Sequence, residues 1–425
     1  MLQPLSRSSI AIAAFSTIVE WYDFTLYLYL VTVLSRVFLA GGEASVLTAL
    51  AGFAVAYLMR PIGAAVFGYI GDRHGRRRIM LLSMALMTAA MLATALLPTH
   101  AQIGPAAGVL LLLIRCVMGF SVGGEYTGVV AYLMEGAPPD RRGLVTSLAA
   151  ASSEVGALLA VGISAITVSA LSDEAVLAWG WRIPFLVGAG LAGAVLIARS
   201  RMQESPEFVN QQKRGTVPGN PLRFALANDR AGIARGFAIS ALGSITYYVG
   251  ITYVPVFLTS AGSINEGTSL WLATAAALVV IVVTPIMGSA SDRWGRKPVL
   301  LALASFSAIL PISMFSLMAS GSVANALVGA VVLAGVAGGV SAVGAVATAE
   351  QLRSEGRLSG LALGATSATA LFGGLTPYLS HVLIGLTGSP LIPGVMIAVV
   401  ACFVIPVLLT LPQRSDSRGV FRSSD

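Results

Sequence analysis

The sequence is poor in the charged residues that a water-facing surface needs. Only 11% of its 425 residues are charged and 56% are apolar, whereas a soluble domain carries roughly 25% charged residues. The mean hydropathy of +0.84 points the same way. This composition excludes an ordinary soluble domain and predicts a chain that is solvated by lipid.

Cysteine and histidine are also scarce. The two cysteines, Cys116 and Cys402, both lie inside apolar segments, so neither a disulfide framework nor a cysteine metal site is expected. The three histidines suggest no site. Because the apolar segments contain no nucleophile–base or metal-ligand constellation, we expect neither an enzyme nor a bound cofactor.

The basic residues are unevenly distributed along the chain. A net charge of +7 would suit a nucleic-acid-binding protein, but the Lys and Arg residues form short clusters between apolar runs, as in membrane proteins. The expected partner is therefore the lipid bilayer and not nucleic acid. The N-terminus resembles a signal peptide, with Arg7 ahead of apolar residues 10–15, but Glu20 and Asp23 interrupt it. An uncleaved first span is predicted.

Two motifs occur twice, in the same order. Residues 68–78 read Gly-Tyr-Ile-Gly-Asp-Arg-His-Gly-Arg-Arg-Arg, and a near copy follows 220 residues later at 288–297. A Gly-Gly pair followed by Glu and Arg also repeats, with Gly124, Glu135 and Arg142 in the first copy and Gly339, Glu350 and Arg357 in the second. Two unrelated signals repeated in one order indicate a duplicated unit, which is typical of a two-halved membrane transporter.

Runs of about 20 mostly apolar residues predict an all-α membrane protein with twelve transmembrane helices. A first six-helix half (residues 1–200) and a second (residues 233–411) are joined by a linker (201–232), and a tail follows (412–425). The predicted spans lie near residues 10–38, 46–70, 78–97, 105–134, 143–170, 181–200, 233–260, 269–290, 298–318, 323–349, 358–386 and 391–411.

The positions of Lys and Arg predict that both termini, the linker and the tail are cytoplasmic. In that orientation 22 of the 26 basic residues lie on the cytoplasmic side. Within the linker, Ser205-Pro206-Glu207 supplies an N-cap, a first-turn proline and a first-turn acid, which predicts a short helix. The four-residue spacing of Gly119 and Gly123 predicts close packing between helices.

The repeated loops are predicted to control access from the cytoplasm. Asp72 and Asp292 can each sit against the N-terminus of a neighbouring helix, and Gly75 and Gly295 permit a tight reversal of the chain. The alternative is a basic anchor that only fixes topology. The predicted gating residues are Gly68, Asp72, Arg73, Gly75, Arg76, Arg77, Glu135 and Arg142 in the first half, and Asp292, Arg293, Gly295, Arg296, Lys297, Glu350 and Arg357 in the second. The arginines are expected to bridge to Glu135 or Glu350.

These loops resemble the signature of the major facilitator superfamily, in both halves. Three further stretches, residues 19–24 (VEWYDF), 115–126 (RCVMGFSVGGEY) and 181–185 (WRIPF), resemble the metabolite:proton symporter family. Members of that family take up citrate, 2-oxoglutarate, shikimate, or proline and betaine. The resemblance implies a major facilitator fold in the cell inner membrane and uptake driven by the proton gradient, with protons and a small molecule as partners. A monomer is expected.

Ionisable residues inside the spans occur only in the first half, and such residues are functional candidates by default. At 1.5 Å per residue, Asp23 lies about 20 Å along its helix, near the midplane. Four acids against two arginines leave an excess of carboxyl groups, which tend to hold protons in a low dielectric. The predicted proton-coupling residues are Asp23, Glu20, Glu125 and Glu154; among them Asp23 is the expected carrier.

Arg115 is the predicted ligand of a carboxylate substrate, because its guanidinium can contact both oxygens. Permanent pairing with Asp23 or Glu125 is the structural alternative, and a structural role is an equal alternative for Arg60 and Glu154. The aromatic residues Trp21, Tyr22, Tyr247 and Tyr248 are predicted to line the substrate site.

The sequence therefore predicts proton-coupled uptake of a small carboxylate-bearing metabolite by alternating access. Symport of a zwitterion such as betaine or proline remains open, since aromatic rings can hold a quaternary ammonium group. Proton-coupled export of a small metabolite or drug also remains open. A membrane sensor would need a soluble signalling domain, which the sequence does not show.

Overall fold

The structure, a computed structural model, describes residues 5–39 and 43–412, and this part of the chain is helical with no strand. Its α-helices are α1 Arg7–Tyr29, α2 Val31–Phe38, α3 Glu43–His74, α4 Arg76–Leu96, α5 His100–Ile103, α6 Ala106–Gly123, α7 Glu125–Gly136, α8 Arg142–Ala170, α9 Asp173–Ala175, α10 Arg182–Ser200, α11 Pro206–Arg214, α12 Pro221–Asn228, α13 Arg230–Tyr247, α14 Val254–Ser260, α15 Glu266–Trp294, α16 Arg296–Met318, α17 Val323–Glu350, α18 Arg357–Leu361, α19 Ser367–Thr369, α20 Thr376–Thr387 and α21 Ile392–Leu409.

Nine helical segments of the described chain are long and apolar enough to cross a membrane, and a tenth is formed if the bent segments Arg230–Thr252 and Val254–Ser260 count as one span. The predicted spans near residues 10–38 and 46–70 correspond to α1 with α2 and to α3, which are helical but are not among the nine. Both carry charged residues in their interior. The count of twelve spans stays a prediction.

Several predicted spans are interrupted in the structure. The first is divided at Leu30 into α1 and α2. The seventh bends by 44° after the π-helical turn Tyr248–Thr252, and the eleventh contains the π-helical turns Ala362–Thr366 and Ala370–Gly374. In both spans the α-helix that follows the π-helical turns, α14 or α20, has a proline in its first turn. Proline has no N–H group to donate to the preceding helical turn.

The chain forms two compact units. Unit 1 consists of Met1–Gly136, Ser152–Asn228 and Arg353–Thr366, and unit 2 consists of Ala137–Ala151, Asp229–Leu352 and Ser367–Asp425. Each unit therefore contains most of one sequence half and a short segment from the other. The apolar core of unit 1 gathers side chains of α1, α2, α4, α6 and α10. In unit 2, α13 to α17 and α21 supply the apolar clusters.

In unit 1, α3 and α6 pack with their backbones in contact. A Cβ added to Gly119 would overlap the carbonyl oxygen of Ala56, and one added to Gly123 would overlap that of Arg60. The close packing predicted from the spacing of these glycines is confirmed. This contact places α3, which carries Arg60, directly against α6, which carries Arg115.

Candidate functional site

A cavity in unit 1 brings together four of the ionisable residues predicted inside the spans. Glu20 and Asp23 on α1 face Arg60 on α3 and Arg115 on α6, with Phe24, Tyr57 and Met118 among the other lining residues. A helix places residues three apart on one face, which is why both acids reach the same cavity. The cavity offers about 30 Å³ to the centres of water-sized molecules, room for roughly two waters, so a metabolite enters only if it widens.

Asp23 and Arg115 form a buried ion pair. Arg115 Nη1 donates to Asp23 Oδ2 over 2.8 Å, and Arg115 Nη2 donates to Thr94 Oγ1 over 3.2 Å. The guanidinium lies 5.3 Å from the centre of the Tyr27 ring and 5.9 Å from that of Phe185. Both charged side chains are only 4% exposed. A short contact of this kind, shielded from water, is a charge-assisted hydrogen bond and is stronger than one between neutral groups.

Glu20 has weaker partners than Asp23. Its Oε1 lies 3.7 Å from Arg60 Nη1, which is longer than a hydrogen bond. Its Oε2 is buried and accepts no hydrogen bond from the described residues. The Arg60 guanidinium also lies over the rings of Tyr57, at 4.5 Å, and Phe24, at 5.1 Å. The two acids of α1 therefore stand in different electrostatic environments.

Glu125 is paired with an arginine that sequence analysis missed. Arg199, at the end of α10, is fully buried and donates to both carboxylate oxygens of Glu125, to the Ser16 hydroxyl and to the carbonyl of Met80. The charge count above includes Arg199 among the 22 basic residues on the cytoplasmic side, and the charge balance inside the spans compares four acids with two arginines. With Arg199 included, that estimated excess falls from two carboxyl groups to one.

The other residues predicted for proton and substrate binding lie elsewhere. Glu154 is buried on α8. Tyr22 lies in the apolar core of unit 1, where its hydroxyl donates to the Pro184 carbonyl over 2.8 Å instead of facing the cavity. The Trp21 ring packs edge-on against Phe24 with centroids 5.5 Å apart. Tyr247 and Tyr248 belong to unit 2, where their rings stack edge to face at 5.6 Å.

The first charge cluster, formed by Asp72, Arg76, Glu135 and Arg357, lies in unit 1. Asp72 accepts hydrogen bonds from the backbone N–H groups of Leu358, at 3.2 Å, and Ser359, at 2.8 Å, at the start of α18. Arg76 contacts Asp72 at 3.4 Å and Glu135 at 3.1 Å. Glu135 also accepts a 2.7 Å hydrogen bond from Arg357. Asp72 and Arg76 are fully buried, so this part of the cluster is shielded from water.

Three residues at the start of the linker bond to this cluster or to the start of α4, and the sequence did not predict these contacts. Glu204 accepts hydrogen bonds from the backbone N–H groups of Arg76, at 2.9 Å, and Arg77, at 3.1 Å, at the start of α4. The Ser205 hydroxyl donates to Glu135, and Glu207 accepts a 2.7 Å hydrogen bond from Arg357. Burial raises the pKa of Glu204 above its ordinary value, against the opposing effect of these N–H groups. The predicted linker helix is confirmed as α11, with Ser205 as its N-cap.

The second charge cluster, formed by Asp292, Arg296 and Glu350, lies in unit 2. Asp292 accepts hydrogen bonds from the backbone N–H groups of Gly143 and Leu144, both at 2.8 Å, at the start of α8. Arg296 contacts Asp292 at 2.7 Å and Glu350 at 3.1 Å. The side chains of Arg296 and Glu350 are 16% and 27% exposed, so this cluster is wetter than the first.

The remaining loop residues surround the two clusters. Gly75 and Gly295 adopt φ values of +109° and +93°, so the predicted tight reversals are confirmed, and Gly68 lies one turn before Asp72 on α3. Arg73 donates to the Tyr69 hydroxyl and the Gly219 carbonyl, Arg77 to the Ser200 carbonyl and Lys297 to the Leu409 carbonyl. Arg142 begins α8, and Arg293 lies in the last turn of α15. Within the described ranges, no group of three His, Cys, Asp or Glu side chains could hold a metal ion.

Comparison with known proteins identifies the family to which this architecture belongs. Residues 9–217 match the family model described as sugar (and other) transporter, and residues 236–424 match that of the major facilitator superfamily. An ectoine/proline transporter of Corynebacterium glutamicum is 32% identical over 418 residues, covering 93% of this chain and 82% of that protein. The alpha-ketoglutarate permease of Escherichia coli K12 is 33% identical over 372 residues, covering 87% and 85%.

A solved structure of a proton:xylose symporter with a bound bromodeoxyglucose superposes with a TM-score of 0.81, covering 96% of both chains at 18% identity. At that identity the likeness concerns the fold. The relatives are membrane transporters and not enzymes, and they share both halves of this chain. The chain thus belongs to the major facilitator superfamily, and within it to the metabolite:proton symporter family of multi-pass membrane transporters.

Proposed function

We propose that this protein is a proton-coupled symporter that takes up a small carboxylate-bearing metabolite by alternating access. The observation that carries the proposal is the buried pair of Asp23 and Arg115 at 2.8 Å in the cavity of unit 1. A substrate carboxylate competes with Asp23 for the Arg115 guanidinium, because both are planar anions that fit the same forked donors. Substrate binding thereby changes the charge balance around the acids of α1.

The proposal includes the environment of the protein. Twelve spans, both termini in the cytoplasm, a monomeric state and insertion in the cell inner membrane are proposed from the distribution of basic residues and from the bacterial relatives. In that orientation the two charge clusters lie at the cytoplasmic end of their helices. They close the cytoplasmic side when assembled and open it when they separate.

A zwitterionic osmolyte is the second candidate substrate. The ectoine/proline transporter and the alpha-ketoglutarate permease are similar to this chain to almost the same degree. A cavity that presents Glu20 and Asp23 beside Arg115 has partners for both ends of a zwitterion. The rings of Phe24 and Tyr57 already hold the Arg60 cation, however, so they do not form a vacant cage for a quaternary ammonium group.

Transport by purified protein in liposomes tests the proposal. Labelled 2-oxoglutarate, citrate, proline and glycine betaine are offered under an imposed pH gradient, acidic outside and alkaline inside, with a protonophore as control. We expect accumulation of one carboxylate that is abolished by the protonophore. Accumulation of proline or betaine alone supports the second candidate, and efflux of preloaded substrate under the acidic-outside gradient, without uptake, would show a proton-coupled exporter. Insensitivity to the protonophore would refute proton coupling.

A further inference from the structure

The acids Glu20 and Asp23 share one face of α1 and one cavity, but they differ in their partners. Within the described chain each acid has one buried oxygen without a hydrogen-bond donor, Asp23 Oδ1 and Glu20 Oε2, but the other oxygen of Asp23 accepts a 2.8 Å bond from Arg115, whereas that of Glu20 lies 3.7 Å from Arg60. Their side chains are 4% and 3% exposed. The two carboxyl groups are equally buried but unequally paired. The free-energy cost of desolvation is therefore offset more for Asp23 than for Glu20.

From this contrast we infer that Glu20 is the proton-carrying residue of the transport cycle and that Asp23 stays ionised as the intramolecular competitor for Arg115. The inference rests on the proposed function and assigns its two tasks to two residues. A buried carboxylate without hydrogen bonds favours protonation, while one in a short ion pair favours ionisation. Glu20 accepts its proton from water in the cavity and returns it to water when the cavity opens to the other side.

The charges around Glu20 support this division. Arg60 on α3 faces Glu20 but also lies over the Tyr57 and Phe24 rings. Glu125 on α7 and Arg199 on α10 also act on Glu20, and their mutual pairing largely cancels their fields. Asp23 and Arg115, which line the same cavity, likewise form a neutral pair. Displacement of Asp23 from Arg115 by a substrate carboxylate adds one uncompensated negative charge one turn from Glu20, and a proton on Glu20 offsets it.

This arrangement couples the two events without a direct contact between substrate and proton. Substrate binding makes the cavity more negative and so draws a proton to Glu20. Protonation of Glu20 in turn lowers the cost of bringing an anion to Arg115. Such mutual stabilisation is reciprocal by thermodynamic linkage.

The test separates accumulation from exchange, using 2-oxoglutarate as the probe and proline in a parallel arm. Wild-type protein is measured for uphill uptake under a pH gradient and for exchange between labelled external and unlabelled internal substrate without a gradient. We expect Glu20→Gln to lose at least tenfold of the uphill accumulation while its exchange stays within about twofold of wild type. Asp23→Asn is expected to lose exchange as well, because it leaves Arg115 without its counter-charge.

Glu20→Asp is the matched control. It retains a titratable carboxyl group, so partial recovery of accumulation is expected, whereas a purely structural role would leave the Asp and Gln variants similarly impaired. If Glu20→Gln does not fold, proton uptake on probe binding is followed with a pH-indicator dye in Glu20→Asp and wild type. A shifted pH of half-maximal uptake supports the assignment, and an unshifted one refutes it.

Two outcomes would overturn the inference in distinguishable ways. If Glu20→Gln still accumulates the probe, Glu20 is not the proton carrier, and if Asp23→Asn alone shows exchange without accumulation, Asp23 is the carrier; the proposed function stands in both cases. If the wild-type protein exchanges a probe but never accumulates it under a pH gradient, proton coupling itself fails, and the assignment of Glu20 fails with it.

Discussion

At the scale of single residues, three arginines of unit 1 differ in what surrounds them. Arg199 has a carboxylate, a hydroxyl and a carbonyl as acceptors, Arg115 has Asp23 and Thr94, and Arg60 lies at ion-pair distance from Glu20. An arginine with many acceptors is held in place, and one with few can change partners. Arg199 therefore suits a fixed structural role, and Arg115 suits the binding of an incoming anion.

Arg115→Lys should lower the affinity for a carboxylate substrate by roughly 10- to 100-fold, which corresponds to the loss of one charge-assisted hydrogen bond worth about 1.5–3 kcal/mol. A lysine keeps the positive charge but cannot contact both carboxylate oxygens in one plane. Substrate-dependent shifts of the melting temperature and the KM of transport measure the change. An unchanged affinity would mean that Arg115 is only the partner of Asp23.

The pair of Glu125 and Arg199 should prove mainly structural. Glu125→Gln or Arg199→Met leaves a buried charge without its partner, at a cost of about 3–5 kcal/mol in stability. The double variant should be destabilised by clearly less than the sum, because it leaves no lone charge. Thermal unfolding of the four proteins in detergent closes this cycle. Additive effects would show that the two side chains are not coupled.

At the scale of elements, the loop between α3 and α4 is a junction of four segments. Asp72 on α3 bonds to the start of α18, Arg76 on α4 bonds to Glu135 on α7, and Glu204 at the start of the linker caps α4. The counterpart between α15 and α16 lacks this depth of burial, since its Arg296 and Glu350 side chains are partly exposed. The cost of separating the first cluster should therefore exceed that of the second.

Asp72→Asn and Arg76→Ala should each slow transport at least tenfold while substrate binding to the purified protein changes little. Both residues belong to the first charge cluster and not to the cavity lining, and Arg76→Ala removes the partner of a buried carboxylate at a cost of about 3–5 kcal/mol. Initial rates in liposomes and binding by thermal shift measure the two effects. Asp140→Asn is the control, because its ion pair with Arg141 is 70% exposed.

Asp292→Asn should have a smaller effect than Asp72→Asn, because its cluster is more accessible to water and water can replace the lost contacts. Rates measured in the same liposome assay compare the two. Wild-type rates in Asp72→Asn and Arg76→Ala would reduce the loops to topological anchors. A larger effect at Asp292 would reverse the proposed order of the clusters.

At the scale of the whole molecule, duplication made part of the arrangement predictable. Asp72 and Asp292 repeat with an offset of 220 residues, and their backbone partners 358–359 and 143–144 repeat with an offset of 215. Repetition of Asp, Gly, Arg and Glu indicated the helix-terminal aspartates and the Arg–Glu bridges. The acids of α1 were placed on one face by their spacing alone.

Contacts that lie outside the repeated motifs could not be predicted from the sequence. Arg199 stands beside Ser200 and Arg201 in the sequence, and only the packing of α10 against α1 and α4 shows that it is buried. Glu204 and Glu207 look like ordinary acids of a polar linker until their partners on α4 and α18 are known. Tyr22 was predicted to line the substrate site because it is aromatic, but its position on α1 directs it into the apolar core. In each case the missing information is the tertiary neighbour.

The proposed topology has a direct test. A reporter fused after Asp425, which lies outside the described residues, should be cytoplasmic, and one inserted near Gly262, between α14 and α15, should be periplasmic. Both expectations follow from the excess of Lys and Arg in the segments assigned to the cytoplasm. Paired fusions to an alkaline phosphatase and a fluorescent protein report the two sides. A reversed result at either position would refute the orientation that is inferred from the positions of Lys and Arg.

Besides its contact with an arginine, each loop aspartate accepts hydrogen bonds from two peptide N–H groups at the start of a helix, and this has a consequence for inheritance. Every residue except proline supplies such a donor, so positions 144, 358 and 359 can change in identity without losing the bond, whereas a side chain at Gly143 would overlap the carbonyl oxygen of Gly288. Selection then acts visibly on only one partner of each contact. A search for paired substitutions across relatives would overlook these bonds, and genetic reversion of Asp72→Asn should recover changes in neighbouring acids and bases instead of at Leu358 or Ser359.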